Sequence, residues 1–339
     1  MTARLRRFHD SKDVLPESQY AESLSGLLAT LVHEGEDYRP RGIDDVPGGI
    51  VYLKDDIPTV ILPDLHARKG MVMRVLEYRG GHSRTVLERI LAGELQLVCV
   101  GDYVHGEGCA AGRWRRAFNE FLDGFSTHAA MDEEMGESLA VVAMVCELKT
   151  AAPAYVHLLK GNHENIANEE GRGNFPFGKF VREGLMVVEY LRKFFSPELL
   201  QSLYGFEKLL PLLAVGSNFL VTHAEPAGHY SKQELLNYNR NPHVIVGLTW
   251  TANGKAEPDS VRRMLDEYLG PAAAGKAYHF GGHRPIPGVY NLRADGRYVQ
   301  IHNPDRYIMA FLEPGRDIDL DTDIVDLGPA EEEGNGANS

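Results

Sequence analysis

Asp102 closes the apolar run Leu95-Gln96-Leu97-Val98-Cys99-Val100 and stands between two similar clusters, Pro63-Asp64-Leu65-His66 upstream and Lys160-Gly161-Asn162-His163-Glu164 downstream. Val221-Thr222-His223-Ala224 and Phe280-Gly281-Gly282-His283-Arg284-Pro285 follow, so five hydrophobic segments each run into Asp, Asn or His. That set suits a dinuclear metal site. Two divalent ions about 3.5–4 Å apart need a shared carboxylate, and imidazole with carboxylate and amide oxygens suits Mn, Fe and Zn better than Ca or Mg. Asp102 is the natural bridge. Asp64 and His66, two apart, would point to one side of an extended strand end and hold one ion together. Asn162, His223 and His283 would hold the other. Loops at the carboxyl ends of parallel strands are where open α/β sheets place their sites.

Each residue alone has a plainer role, since an Asp after a strand commonly caps a helix or makes a turn. Five ordered blocks reverse that balance. His9, His33, His82, His128, His157, His229, His243 and His279 lack such context and read as surface or satisfied core groups. His157 and His279 lie inside strand-like segments.

The order of blocks resembles the calcineurin-like metallophosphoesterase superfamily, and within it the phosphoprotein (serine/threonine) phosphatase branch. Asp64 and His66 match its first block, Gly101-Asp102-Tyr103-Val104 its second, and Gly161-Asn162-His163-Glu164 its third without change. His223 and His283 match the last two, and the resemblance covers about residues 57 to 313. It implies a four-layer α/β/β/α sandwich of two mixed sheets with the metals at one edge. It also implies hydrolysis of phosphate esters by a metal-bound hydroxide. His163 would protonate the leaving oxygen, Asp102 would serve catalysis as the bridging ligand, and Glu164 would order the loop through hydrogen bonds. The expected substrate is a phosphorylated protein or small molecule attacked as a phosphomonoester. Two alternatives stay open: a nucleotide or dinucleotide polyphosphate hydrolase or diesterase, and a catalytically impaired metal-binding regulatory or scaffold protein.

Departures from the family pattern motivate that last alternative. Where the family continues with Asp-Arg-Gly, this chain has His105-Gly106-Glu107, so the carboxylate that orients the catalytic His and the Arg that clamps phosphate are both absent. Pro285 stands where many superfamily members place a second metal His. A phosphoryl dianion normally meets forked guanidinium groups. Arg68 and Arg284, next to metal-site blocks, are the substitutes expected, with Arg172 third.

The frame around these residues is that of a globular enzyme. With 339 residues and 43% hydrophobic content the chain can bury a large core. A net charge of −13 argues against binding a nucleic-acid backbone. The three cysteines, Cys99, Cys109 and Cys146, are odd in number and widely spaced. They argue for a reducing, cytoplasmic setting over a disulfide framework. Cys99 and Cys146 read as core and Cys109 as an incidental small residue. The basic residues Arg4, Arg6 and Arg7 precede no apolar stretch, so no signal peptide is expected, and no run of about 18 apolar residues suggests a membrane partner.

Residues 1–50 are expected to form an N-terminal helical extension, with Leu24, Leu27, Leu28 and Leu31 on the core face of a helix over Glu17 to His33. Residues 51–328 would form the catalytic domain, with a helical insertion at about 110–150. Residues 329–339 would be a disordered acidic tail. Strands are predicted at Ile50 to Leu53 and Thr59 to Leu62, helices at 69–79, 83–92, 178–195 and 197–208, and one apolar segment from Leu212 to Val221. Ala294-Asp295-Gly296 signals a hairpin between Val289 to Arg293 and Arg297 to Ile301, with a further strand over Tyr307 to Glu313. The arginines of the Gly106-to-Arg116 loop (Arg113, Arg115, Arg116) read as a solvated face, or less plainly as a rim facing substrate.

Overall fold

A computed structural model describes residues 1–330. The expected acidic tail lies outside the described residues, apart from Pro329, which ends a strand, and Ala330. The strands are β1 (Ile50–Tyr52), β2 (Thr59–Leu62), β3 (Gln96–Cys99), β4 (Val156–Leu158), β5 (Leu213–Val215), β6 (Phe219–Val221), β7 (Tyr278–Gly281), β8 (Asn291–Arg293), β9 (Tyr298–Gln300), β10 (Arg306–Leu312) and β11 (Ile324–Pro329). They form two mixed sheets, ordered β1-β5-β6-β7-β9-β8 and β11-β10-β2-β3-β4.

Alternation along the strands shows how the layers stack. Ile61, Val98, Val221, Phe280, Val299 and Ile308 share one cluster that joins residues of both sheets. Their neighbours Val60, Leu62, Leu97, Cys99 and Val156 join a different cluster, made with helices. Successive side chains of a strand face opposite sides. The central strands of each sheet are thus buried on both faces, which is why they read as continuous apolar runs. On the outer face of the first sheet, Leu213, Val215 and Leu220 pack with Leu235, Val244, Leu248, Met264 and Leu265. The architecture is the four-layer α/β/β/α sandwich.

The helices that follow from chain order are α1 (Thr2–His9), α2 (Glu17–Val32), α3 (Lys69–Glu77), α4 (Val86–Leu91), α5 (Ala111–Leu122), α6 (Ala129–Ala151), α7 (Glu183–Phe194) and α8 (Pro197–Leu209). Helix α6 is buried on nearly every side from Glu134 to Lys149, and its buried charges are paired, Glu134 with Arg113, Glu147 with Arg4 and Lys149 with Glu34. Its covering comes from the N-terminus: Leu5 and Phe8 of α1 and Leu24, Leu27 and Leu31 of α2 lie in the same core as Leu139 and Val142.

Two local expectations need correction. Leu212 to Val221 is a hairpin, with Ala214 paired antiparallel to Val221 and Gly216 N donating to Phe219 O, because Gly216-Ser217-Asn218 supplies a tight turn inside an otherwise apolar stretch. His157 is buried without satisfaction, as neither ring nitrogen has a hydrogen-bond partner. His279 does find one, with Nε2 2.7 Å from Thr222 Oγ1. The Ala294-Asp295-Gly296 hairpin forms as expected, joining β8 and β9 antiparallel.

Candidate metal centre

Strands β2, β3 and β4 run parallel in one sheet, β6, β7 and β9 in the other. The ends of these six strands deliver Asp64, Asp102, Asn162, His223, His283 and a residue without a match in the family blocks, His302. Asp102 Oδ2 sits 3.5 Å from His66 Nε2 and 3.4 Å from His223 Nε2. Asn162 Oδ1 lies 2.9 Å from His223 Nε2 and 2.8 Å from His283 Nδ1. Asp64 Oδ2 lies 3.9 Å from His66 Nε2 and accepts from His283 N. The chain therefore brings all six expected metal residues to one place.

Second hydrogen bonds orient the rings. His66 Nδ1 is 3.0 Å from the carbonyl oxygen of His105, and His223 Nδ1 is 3.2 Å from that of Val100. A carbonyl can only accept, so each Nδ1 carries the proton and each Nε2 keeps its lone pair for the site. Asp64 Oδ1 is buried with no hydrogen-bond partner. An orphaned buried oxygen of this kind is costly, and a cation satisfies it. Imidazole, carboxylate and amide oxygen together fit divalent transition metals.

The backbone departs from ideal conformations to make this convergence. His66, Asp102, His105 and His283 all have positive φ, at 42°, 52°, 65° and 62°. Such strain gathers at functional sites. It also corrects one step of the sequence argument: Asp64 and His66 meet through a turn at His66-Ala67, not along an extended strand end. Gly282 permits the close approach, because a Cβ there would stand 1.8 Å from Asp64 Oδ1.

Burial sets the protonation tendencies. Desolvation pushes the Asp64 carboxyl from 3.8 up to about 6, and burial with the neighbouring Glu164 carries Asp102 well above 3.8. Burial, then the His66 and His105 rings, hold His163 well below 6.5, and burial brings His105 and His283 to about 3. Two carboxyls reluctant to ionise beside several neutral imidazoles make a site that gains from added positive charge.

Glu164 has the structural role expected of it, accepting from Asp102 N and Tyr103 N at 2.9 Å each and from Gly161 N at 2.6 Å. His163 lies at the site's face, with Nε2 3.7 Å from Asp102 Oδ2. Its Nδ1 is 3.0 Å from His105 Nδ1, and Phe177 covers its ring at a centroid distance of 3.8 Å.

The arginines are divided. Arg68 is buried and donates to the carbonyl oxygens of Asp64, Asn303 and Leu65 at 2.6, 2.8 and 3.2 Å. The expectation of a phosphate clamp is corrected here to a tie between two site loops, because a planar guanidinium matches three converging carbonyls. Arg284 is exposed beside His283. Arg172 is exposed and lines a separate cavity with Lys160, Tyr204 and Lys208. Arg113 is neither solvated nor a rim, since it is buried against Glu134 at 2.6 Å and Glu137 at 2.7 Å. Glu134 in turn accepts from Gly106 N, and Trp114 Nε1 donates to Gly106 O, which fixes the His105-Gly106-Glu107 loop. No side chain fits at Gly106, where a Cβ would meet Arg113 Nη2 at 2.8 Å.

Sequence reasoning missed His302 and gave Glu107 no place at the metals. His302 follows the predicted strand over Arg297 to Ile301, so the same signal that marked the other five segments was present. Glu107 Oε2 stands 3.6 Å from His66 Nε2.

A two-sheet sandwich with carboxylates, imidazoles and an amide at one edge defines a metal-dependent phosphoesterase fold. The chain belongs to the calcineurin-like phosphoesterase family, whose model matches residues 57–319, and it is a metal-dependent hydrolase of that family. Among solved structures, a protein serine/threonine phosphatase from Saccharomyces cerevisiae is similar at a TM-score of 0.58 and 15% identity, over 92% of this chain and 89% of that one. A cold-active protein-tyrosine phosphatase from a psychrophilic Shewanella gives a TM-score of 0.47 at 15% identity, over 82% of each chain. No curated protein matches the sequence. No helix among the described residues is long and apolar enough to cross a membrane.

Proposed function

We propose that the chain hydrolyses phosphomonoesters at a dinuclear centre of the phosphoprotein phosphatase type. The observation that carries this reading is Asp102 Oδ2, nearly equidistant from His66 Nε2 at 3.5 Å and His223 Nε2 at 3.4 Å. A carboxylate oxygen this close to two site imidazoles is arranged to be shared. Asp64 and His66 would hold one ion with it, and Asn162, His223 and His283 the other, with Mn, Fe or Zn the ions the donor set favours. Such ions, when bound, neutralise phosphoryl charge and lower the pKa of water toward neutrality.

The chain's own residues supply the rest. Water oxygen joins phosphorus while the ester oxygen leaves and takes up a proton. His163 Nε2 faces the site and is the group to deliver that proton. Phe177 over the His163 ring limits access of bulk water on that side. Arg284, exposed beside His283, is the cation best placed to meet a phosphoryl oxygen.

The impaired-scaffold reading is favoured by the loop at Gly106, which leaves no space for the Arg of the family pattern. Turnover by metal-reconstituted protein on monoester, diester and dinucleotide substrates separates the readings. Preference for monoesters supports the proposal. Preference for dinucleotides or diesters selects the nucleotide alternative, and two bound metals without turnover on any substrate selects the scaffold.

A further inference from the structure

We propose that His302 Nδ1 is a protein ligand of the metal held by Asp64 and His66, with Glu107 fixing the His302 tautomer from the other ring nitrogen. The inference rests on the dinuclear reading above and adds a residue that the family blocks do not contain.

His302 follows β9 and is fully buried. Its Nδ1 has no hydrogen-bond partner and lies 3.8 Å from Asp64 Oδ2. Its Nε2 is 3.1 Å from Glu107 Oε2. A carboxylate only accepts, so the proton of neutral His302 belongs on Nε2 and the Nδ1 lone pair is left free toward Asp64. That is the carboxylate–histidine–metal pattern, in which an outer carboxylate fixes the ring and raises its basicity. Ligand atoms of Asp64, His66 and His302 all lie within 4.8 Å of one another, in a wholly buried group. The His66 and His302 rings stand 5.2 Å apart, tilted by 50°, so they do not stack.

The surroundings hold Glu107 in this outer role. Its Oε1 pairs with Lys179 Nζ and its Oε2 with His302. The chain also shows why a ligand is supplied from β9. Pro285 cannot offer one, and the segment after it is tied to the new ligand's own backbone, with Ile286 N donating to His302 O at 2.9 Å. Asn303 Nδ2 holds Gly288 O at 2.9 Å in the same way. The loop that would carry a second metal His in other family members is thus pinned beside His302.

The test is metal binding by the full chain, stripped with chelator and titrated with Mn²⁺. Metal per chain is measured by elemental analysis and the two affinities by equilibrium dialysis. The parent should bind two ions. His302→Ala should keep one at parental affinity and weaken the other by at least about 100-fold, beyond the 10–100-fold typical of losing an outer partner. Glu107→Gln should weaken the same ion by about 10–100-fold, and His302→Asp should restore much of the loss. In parent protein with ¹⁵N-labelled histidine, Zn²⁺ should shift the His302 Nδ1 resonance to the metal-bound range, a readout that needs no folded variant. Two ions at parental affinity in His302→Ala, or an unshifted Nδ1, overturns the proposal alone. A parent that binds fewer than two ions overturns the dinuclear reading, and this inference with it.

Discussion

The Nδ1 atoms of His105 and His163 lie 3.0 Å apart, so an imidazole occupies the place where the family pattern puts the carboxylate that orients the catalytic His. One of the two nitrogens must donate and the other accept. His105 Nε2 is buried without a partner, which makes His105 a neutral orienting group that does nothing to favour a charged His163.

Replacing that neutral partner by a carboxylate should therefore move the pH profile. A general acid works only while protonated, so its activity is lost as pH rises through its pKa. In His105→Asp the new negative charge should raise the His163 pKa by about 1–3 units and carry the basic limb of kcat/KM upward by a similar amount. An unmoved limb would show that His163 is not the acid.

His163→Asn removes the proton donor altogether. Loss of a general acid costs about 10²–10⁴-fold, and that loss should fall on esters with poor leaving groups. p-Nitrophenyl phosphate, whose leaving group needs little protonation, should be spared much of it. Equal losses in kcat on both substrates would argue for a positioning role only.

Asp102→Ala should lose both metals or nearly so, because each ion would lack the shared charged ligand. Asp45→Ala, at an exposed position with its carboxylate 3.7 Å from Arg41, should keep both metals. Metal analysis of the purified variants decides it, and two tightly held ions in Asp102→Ala would exclude the bridge.

The two site-adjacent arginines should separate by phenotype. Arg68→Ala leaves the carbonyls of Asp64, Leu65 and Asn303 without their donor and should cost about 1–3 kcal/mol of stability, read by urea unfolding. Arg284→Ala should raise KM for phosphate esters with metal content and Tm unchanged. A parental KM would place the phosphate contact elsewhere.

Metal-free protein should lose stability as pH falls below 6.5. His105 and His283 are brought from 6.5 to about 3 by burial. Stability from such depressed groups is present above the unfolded value and lost as pH falls toward the folded one. Asp64, raised from 3.8 to about 6, works in the opposite sense, since its contribution is lost as pH rises through about 6. Asp102, Glu164 and Glu207 are pushed up by burial as well, but the buried histidines outnumber these carboxyls, with His66, His157, His163, His223, His279 and His302 also held down by burial. Tm of chelated protein between pH 7 and 5 tests the sign.

The sequence by itself determined which residues meet. Burial on both faces made β2, β3, β4, β6 and β7 legible as strand-like runs, and each led into a residue type that binds metals, so Asp64, His66, Asp102, Asn162, His223 and His283 could be named from the ordered blocks and the family resemblance they carry. Local chemistry also fixed Glu164 as an acceptor for its neighbours' N–H groups and Ala294-Asp295-Gly296 as a turn. What only the tertiary structure decided depends on contacts distant in sequence. Arg68 sits beside the metal block, yet its fate is set by Asn303, 235 residues away. Arg113 looks solvent-facing until Glu134 and Glu137 on α6 enclose it. His302 carries the same strand-end signal as the others, but its Nδ1 gains meaning only because the two sheets close face to face and aim β9 at Asp64. Strand periodicity reports which side a residue faces. It does not report which partner the opposite layer will bring to that side.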